Sequence, residues 1–316
     1  MTAGEVLQAV VIGALQGITE LFPISSLGHS VLVPALIGGS WKHLVTETSS
    51  SNSAESPYLA FVVALHVATA LALLIFFRRD WVRIVGGFLH TLRVRRIETS
   101  AERLAWLIVV ATVPVGITGL ALEHTFRILF AKPLFAAVFL TLNGLILLAG
   151  ERLRRRAEQR DSAHNAHDAA PGAPEPAGAS RAGIAVAESR QLETLAYREA
   201  AVIGLFQTLA LLAGISRSGV TMVAGLLRGL DHEDAAKFSF LLATPVILAA
   251  GMLKLPTLAG PAGDGIHGQV FAGALAAGVA AYLSVRFLTR YFTTRTLTPF
   301  GIYCLVVGVA CIIRFT

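Results

Sequence analysis

The sequence predicts an all-α polytopic membrane protein, laid out as an inverted-topology repeat with two re-entrant helical hairpins and about six full spans. Three observations carry that fold class. The 316-residue chain is 54% hydrophobic and 15% charged, whereas soluble domains carry about 25% charged residues. Apolar runs of bilayer length, about 20 residues, recur from end to end. A polar turn containing Gly and Ser occurs twice, once in each half.

Residues 58–77, "YLAFVVALHVATALALLIFF", form the clearest apolar run; 104–122, 133–149, 238–253, 269–287 and 298–314 follow. Mean hydropathy is +0.67. Lipid forces every backbone polar group into an internal hydrogen bond, so such runs are helices. A β-barrel would alternate polar and apolar residues, and these runs do not. Glu5, with no basic stretch before the first apolar run, argues against a cleaved signal peptide. Cys304 and Cys311 sit in the last span and read as small packing residues, not as a disulfide framework or metal quartet.

The basic residues set the expected topology. Seven fall in 78–103, eight in 151–198, two in 228–237 and three in 286–297, leaving only six of the 26 elsewhere. The positive-inside rule puts those four segments in the cytoplasm. The net charge of +6 therefore orients the chain and gives no reason to invoke nucleic acid. Residues 151–196 lack Phe, Trp and Tyr and read as a polar, disordered cytoplasmic linker. It separates a first repeat, 1–150, from a second, 197–316. Each repeat is expected to hold one re-entrant hairpin and three spans.

Two charges stand apart from the connections: Glu20 and Arg217. A charge at membrane depth is costly and marks a functional cavity. Both lie in the repeated turn. "IGALQGITELFPISSLGHS" (12–30) aligns without gaps on "IGLFQTLALLAGISRSGVT" (203–221). Ile12, Gly13, Gln16, Leu21, Ile24, Ser25 and Gly28 meet identical residues. The charge pattern gives the three spans after each copy opposite directions, hence the inverted repeat. Pro23, Gly28, Gly214 and Gly219 interrupt the helices, so the two turns are expected to meet inside the membrane from opposite sides. Helix N-termini there suit an anion.

The polar residues supply the chemistry. Around Arg217, the hydroxyls of Ser216, Ser218 and Thr221 could complete a phosphate cradle, since guanidinium donors form a planar fork that matches phosphate oxygens. An Arg snorkelling to the interface beside capping serines is the bland alternative. In the first turn, Glu20, Ser25, Ser26 and His29 supply the parts for nucleophilic or acid–base catalysis. Ser26 and His29 are three apart and share a face of a helix. Glu20 could bind a cation, orient His29 or act as the base. A helix cap with a packed His is the bland alternative here. Gln16 and Gln207 are weaker, paired candidates, and His66, Thr69, Thr141 and Asn143 read as interhelical hydrogen-bonding groups.

With these residues in place, the sequence resembles the undecaprenyl-diphosphate phosphatase family of bacterial inner-membrane enzymes. That family's first motif, (E/Q)-x-x-x-E with P-x-S-S-x-G-H, reads here Gln16, Glu20, Pro23, Ser25, Ser26, Gly28, His29. Its second, P-G-x-S-R-S-x-x-T, reads Ala213, Gly214, Ser216, Arg217, Ser218, Thr221. The likeness covers nearly the whole chain outside 151–196. Gln16 stands where a Glu is common, Ala213 where Pro is, and Leu27 where Thr is.

The resemblance implies hydrolysis of a C55 isoprenoid diphosphate to the monophosphate, recycling the lipid carrier of cell-wall synthesis, at the periplasmic face. Arg217, Ser216, Ser218, Thr221 and Ser25 would hold the phosphates. Ser26 would attack phosphorus or position a water. His29 would transfer the proton. Glu20, with Gln16 as a second ligand, would bind Mg²⁺ or Ca²⁺, or else orient His29. The partners implied are the polyprenyl diphosphate substrate and membrane lipid, and a homodimer stays open. The rival function is a transporter or flippase of a phosphorylated polyprenyl lipid, which needs the cradle and no Ser–His pair. A structural scaffold leaves Glu20 and Arg217 unexplained.

Overall fold

A computed structural model describes residues 3–39, 57–130, 132–168, 191–254 and 266–316. Among the described residues there are eleven α-helices and no strand. Helix α1 (Ala3–Thr19) and the short α2 (Ser26–Ile37) flank the first polar turn. Next come α3 (Pro57–Phe76), α4 (Arg78–Val94), α5 (Ser100–Phe130) and α6 (Pro133–Asp168). The short α7 (Tyr197–Thr208) and α8 (Arg217–Leu226) flank the second polar turn. Helices α9 (His232–Lys254), α10 (His267–Tyr291) and α11 (Thr298–Phe315) complete the chain.

Among the described residues, five stretches are long and apolar enough to cross a membrane: Ser100–Ala121, Pro133–Arg160, His232–Leu253, His267–Tyr291 and Thr298–Phe315. They match five of the expected spans. The sixth, 58–77, is α3, which bends by 88° into α4. The chain is a multi-pass helical membrane protein.

The connection 78–103 holds more order than its charge suggests. Within it, α4 exposes Val82, Val85, Leu89 and Leu92 on one stripe while carrying Arg78, Arg79, Arg83 and Arg93. A helix bent sharply off a span, with an apolar stripe and a cationic remainder, suits the plane of the interface.

Residues 151–168 correct the expectation of a disordered linker from 151 onward. They continue α6 as helix. The run "ERLRRRAEQR" is rich in strong helix formers, and extending an existing helix needs no new nucleus. Arg154 and Glu158 pair at 2.6 Å one turn apart. Glu151 is buried, bonded to His232 Nε2 at 2.6 Å and to the Leu297 amide at 2.7 Å, so it ties α6 to the starts of α9 and α11. Leu192 and Leu195 are buried as well. The remainder of the expected linker, 169–190, lies outside the described residues.

Packing follows small residues. Helix α1 lies along α10, α7 along α5, and α6 along α11. At Gly13 the α1 backbone touches that of Gly273, and a Cβ there would fall on the Gly273 carbonyl oxygen. Gly204 meets the Ala111 carbonyl in the same way on α5. Close backbone approach is how helices associate in lipid, where burial of apolar surface gives little drive. Cys304 and Cys311 are buried free thiols in α11, the packing role expected of them.

Candidate active site

The two polar turns meet in the interior. Helix α1 ends at Thr19, and the chain turns through Pro23 to Ser25, whose φ of 72° is unusual for a residue with a side chain. Ser25 caps α2: its hydroxyl accepts from the Gly28 amide at 3.2 Å. In the second half, Gly214 at φ 115° supplies a conformation only glycine adopts cheaply. Ser216 then caps α8, its hydroxyl accepting from the Gly219 amide at 3.2 Å. The two capping serines, 191 positions apart, do the same work.

Hydrogen bonds lock one turn to the other. The Gly214 amide donates to Ser25 Oγ at 3.2 Å. Ser218 Oγ donates to the Phe22 carbonyl at 3.3 Å. Asn143 on α6 bridges both turns: Nδ2 donates to the Pro23 carbonyl and Oδ1 accepts from the Ser216 amide, each at 3.0 Å. These bonds satisfy buried backbone groups that would otherwise be orphaned where no helix continues.

The locked turns place Ser26 and Arg217, the first residues of α2 and α8, around Glu20. Arg217 Nη2 donates to Glu20 Oε1 at 2.6 Å. Ser26 Oγ donates to Glu20 Oε2 at 2.5 Å, and Gln16 Nε2 donates to the same oxygen at 3.1 Å. His66 Nε2 on α3 stands 3.3 Å from Oε2. Glu20, Ser26, His66 and Arg217 line a cavity of about 270 Å³, walled on its apolar side by Val115, Val246 and Ile247. Among the described residues, two buried polar atoms of this wall lack a partner: Arg217 Nη1 and Gln207 Oε1. A buried guanidinium donor without an acceptor is costly in the protein alone and is what an anion would satisfy.

The sequence-derived residues divide. Glu20, Ser25, Ser26, Ser216 and Arg217 line the cavity, and Gln16 supports Glu20 from behind. Ser218 and Thr221 do not line it. Thr221 Oγ1 bonds Ser239 Oγ at 2.7 Å and the Arg217 carbonyl, bracing α8 against α9. His29 departs from its expected pairing with Ser26. Its Nδ1 bonds the Ser25 carbonyl at 2.7 Å, its Nε2 meets the Tyr303 hydroxyl at 2.8 Å, and its ring stacks on Tyr303. The reason is angular: three residues of helix leave side chains about 60° apart. With Ser26 facing the cavity, His29 faces α11. The imidazole at the cavity is His66, which sequence reasoning treated as an interhelical hydrogen bonder. The signal for it was a lone His midway along a twenty-residue apolar run. Asn143 does bond between helices, as read, with Nδ2 3.3 Å from Cys304 Sγ on α11, and it also binds both turns.

The family model "Bacitracin resistance protein BacA" matches residues 9–310. The chain is 72% identical to "Undecaprenyl-diphosphatase 2" of Frankia alni, over 98% of this chain and 97% of that one. It is 60% identical to the "Undecaprenyl-diphosphatase" of Mycolicibacterium paratuberculosis, over 97% and 96%. It is 42% identical to "Undecaprenyl-diphosphatase 2" of Chromobacterium violaceum, over 96% of each. With the match running from the second turn of α1 nearly to the end of α11, the chain belongs to the BacA family.

Proposed function

We propose that this protein hydrolyses undecaprenyl diphosphate to undecaprenyl phosphate and phosphate, which returns the lipid carrier to cell-wall synthesis. The single observation that carries the reading is the Ser26–Glu20–Arg217 cluster at the cavity. Relatives named as undecaprenyl-diphosphatases, at up to 72% identity, point the same way. The Ser26–Glu20 bond also weighs against a flippase, because moving a headgroup needs an anion cradle and no base beside a hydroxyl.

The diphosphate enters the cavity with its terminal phosphate at Arg217, whose free Nη1 and the N-termini of α2 and α8 receive its oxygens. The first isoprene units lie against Val115, Val246 and Ile247. Ser26 Oγ attacks the terminal phosphorus. The new O–P bond forms as the bond to the bridging oxygen breaks, and the lipid phosphate leaves with that electron pair. The Ser26 proton passes to Glu20 Oε2, already in hydrogen-bond contact. Water then attacks the phosphoserine as the Ser26 Oγ–P bond breaks; Ser26 Oγ takes its own proton back from Glu20, Glu20 takes one from the water, and the phosphate leaves carrying that proton. Gln207 Oε1 is placed to orient that water. Ser25 and Ser216 act as caps that aim these N-termini, while Ser218 and Thr221 brace α8.

The donor set fits a divalent cation only as a companion of the substrate. Among the described residues, no three His, Cys, Asp or Glu cluster for a metal. One carboxylate plus substrate phosphates is, however, a common way to hold Mg²⁺. Glu20 would hold Mg²⁺ or Ca²⁺, with the Gln16 amide oxygen as a second ligand after rotation. Bound there, the cation would neutralise charge on the diphosphate.

We further propose that α1–α2 and α7–α8 are re-entrant hairpins of an inverted repeat. The paired caps Ser25 and Ser216, and the paired close contacts of Gly13 and Gly204, support it. So does the exchange of partners, α1 on α10 and α7 on α5. The charge pattern supports an orientation with 151–196 cytoplasmic; an inner-membrane location with the cavity open to the periplasm is proposed on the family resemblance. A homodimer is a further proposal, for cross-linking in membranes to test.

The test is phosphate release from C55 diphosphate by purified protein in detergent, with and without EDTA, beside Ser26→Ala. Release by the wild type, lost with EDTA and with Ser26→Ala, supports hydrolysis, the cation and the nucleophile together. Folded wild type that releases nothing with Mg²⁺ or Ca²⁺ supplied overturns the enzyme reading. Release that EDTA leaves intact overturns the cation.

A further inference from the structure

We infer that His66 is a positioning residue of the proposed hydrolysis: it fixes the Glu20 carboxylate in the orientation that receives the Ser26 proton. The inference rests on the phosphatase reading above. Its basis is the hydrogen-bond accounting at Glu20. Oε1 is held by Arg217, so rotation about the carboxylate is set by what holds Oε2. Oε2 faces Ser26 Oγ, Gln16 Nε2 and His66 Nε2. Ser26 must leave that oxygen when it attacks phosphorus, and Gln16 approaches from the last turn of α1, directly before Glu20 in the chain. His66 is the one holder of Oε2 that comes from another helix across the cavity and stays throughout.

The ring is built for that task. His66 Nδ1 lies 2.8 Å from the Val62 carbonyl, which can only accept, so Nδ1 carries a proton and Nε2 is the nitrogen turned to Glu20. Nε2 lies 3.3 Å from Oε2, close enough to fix where that oxygen sits. The arrangement is a nucleophile, a base and an orienting third group, the logic of hydrolytic triads with the carboxylate in the middle. His29, by contrast, spends both ring nitrogens on Ser25 and Tyr303.

The experiment compares wild type, His66→Leu and His66→Gln for phosphate release from C55 diphosphate, with melting temperatures in the same detergent. The Val62 carbonyl belongs to a regular helix, so removing the ring orphans no backbone group and His66→Leu is expected to fold. The Leu variant should lose roughly 10–100-fold in kcat, part of what a well-placed general base supplies, with KM little changed. The Gln variant, whose amide N–H can reach Oε2, should recover most of that rate. A merely structural role would lower the melting temperature, raise KM and show no rescue by Gln. Full kcat in His66→Leu beside an active wild type overturns the inference alone. An inactive wild type overturns the phosphatase reading, and the inference with it.

Discussion

Asn143→Ala tests whether the two turns act as one unit. The side chain is fully buried and makes two 3.0 Å bonds, one to each turn. Removing it leaves the Pro23 carbonyl and the Ser216 amide without these partners. In a soluble core each orphaned group would cost about 1–3 kcal/mol. In a membrane the unfolded reference also finds partners, and cycles average about 0.6 with a maximum of about 1.7 kcal/mol per bond. Two bonds therefore give about 1–3 kcal/mol, a fall of several degrees in melting temperature by circular dichroism in detergent. Activity should fall further than stability. The bonds position Ser26 against Arg217, and a misplacement of about 1 Å costs about 10²-fold. Phosphate release measured well below the melting temperature separates the two effects. A variant with unchanged melting and unchanged kcat/KM would refute the idea that Asn143 holds the turns in register.

Other outcomes follow from the same contacts. Gly204→Ala should destabilise by about 1–3 kcal/mol through overpacking, because a Cβ there falls on the Ala111 carbonyl. Gly86→Ala, which meets nothing within 4 Å, should melt at or above wild type. His29→Ala should lower melting temperature and activity in parallel, since His29 ties the Ser25 turn to Tyr303; loss of kcat at an unchanged melting temperature would make it a proton carrier after all. Arg217→Lys should lose about 10²-fold or more in kcat, because an ammonium cannot hold Glu20 and a phosphate with one planar fork; full activity would show that a point charge suffices.

The multi-pass helical architecture was legible because lipid leaves few options. An apolar run near twenty residues must be a helix, and charge asymmetry orients it. The bend between α3 and α4 was hidden because the arginines of 78–103 read as a connection, while the apolar stripe of Val82, Val85, Leu89 and Leu92 lies among them. The helical stretch 151–168 was hidden because charge and low aromaticity mark solvation and are silent about helix propensity. At the site, Glu20, Ser26 and Arg217 were legible as polar groups breaking an apolar pattern within repeated turns. His66 broke the same pattern, but with no turn beside it, and its contact to Glu20 is tertiary. The expected Ser26–His29 pairing does not form because spacing on one helix says which residues are neighbours and not which way the helix is rotated.

The most direct measurement is a double-mutant cycle on phosphate release, with Ser26→Ala, Arg217→Ala and the double variant, all checked for melting temperature. Residues of one catalytic unit are strongly non-additive. If the two turns form one site, each single substitution should remove nearly all activity and the double variant should be little worse than either. Losses that multiply, or a fully active Arg217→Ala, would contradict a joint site.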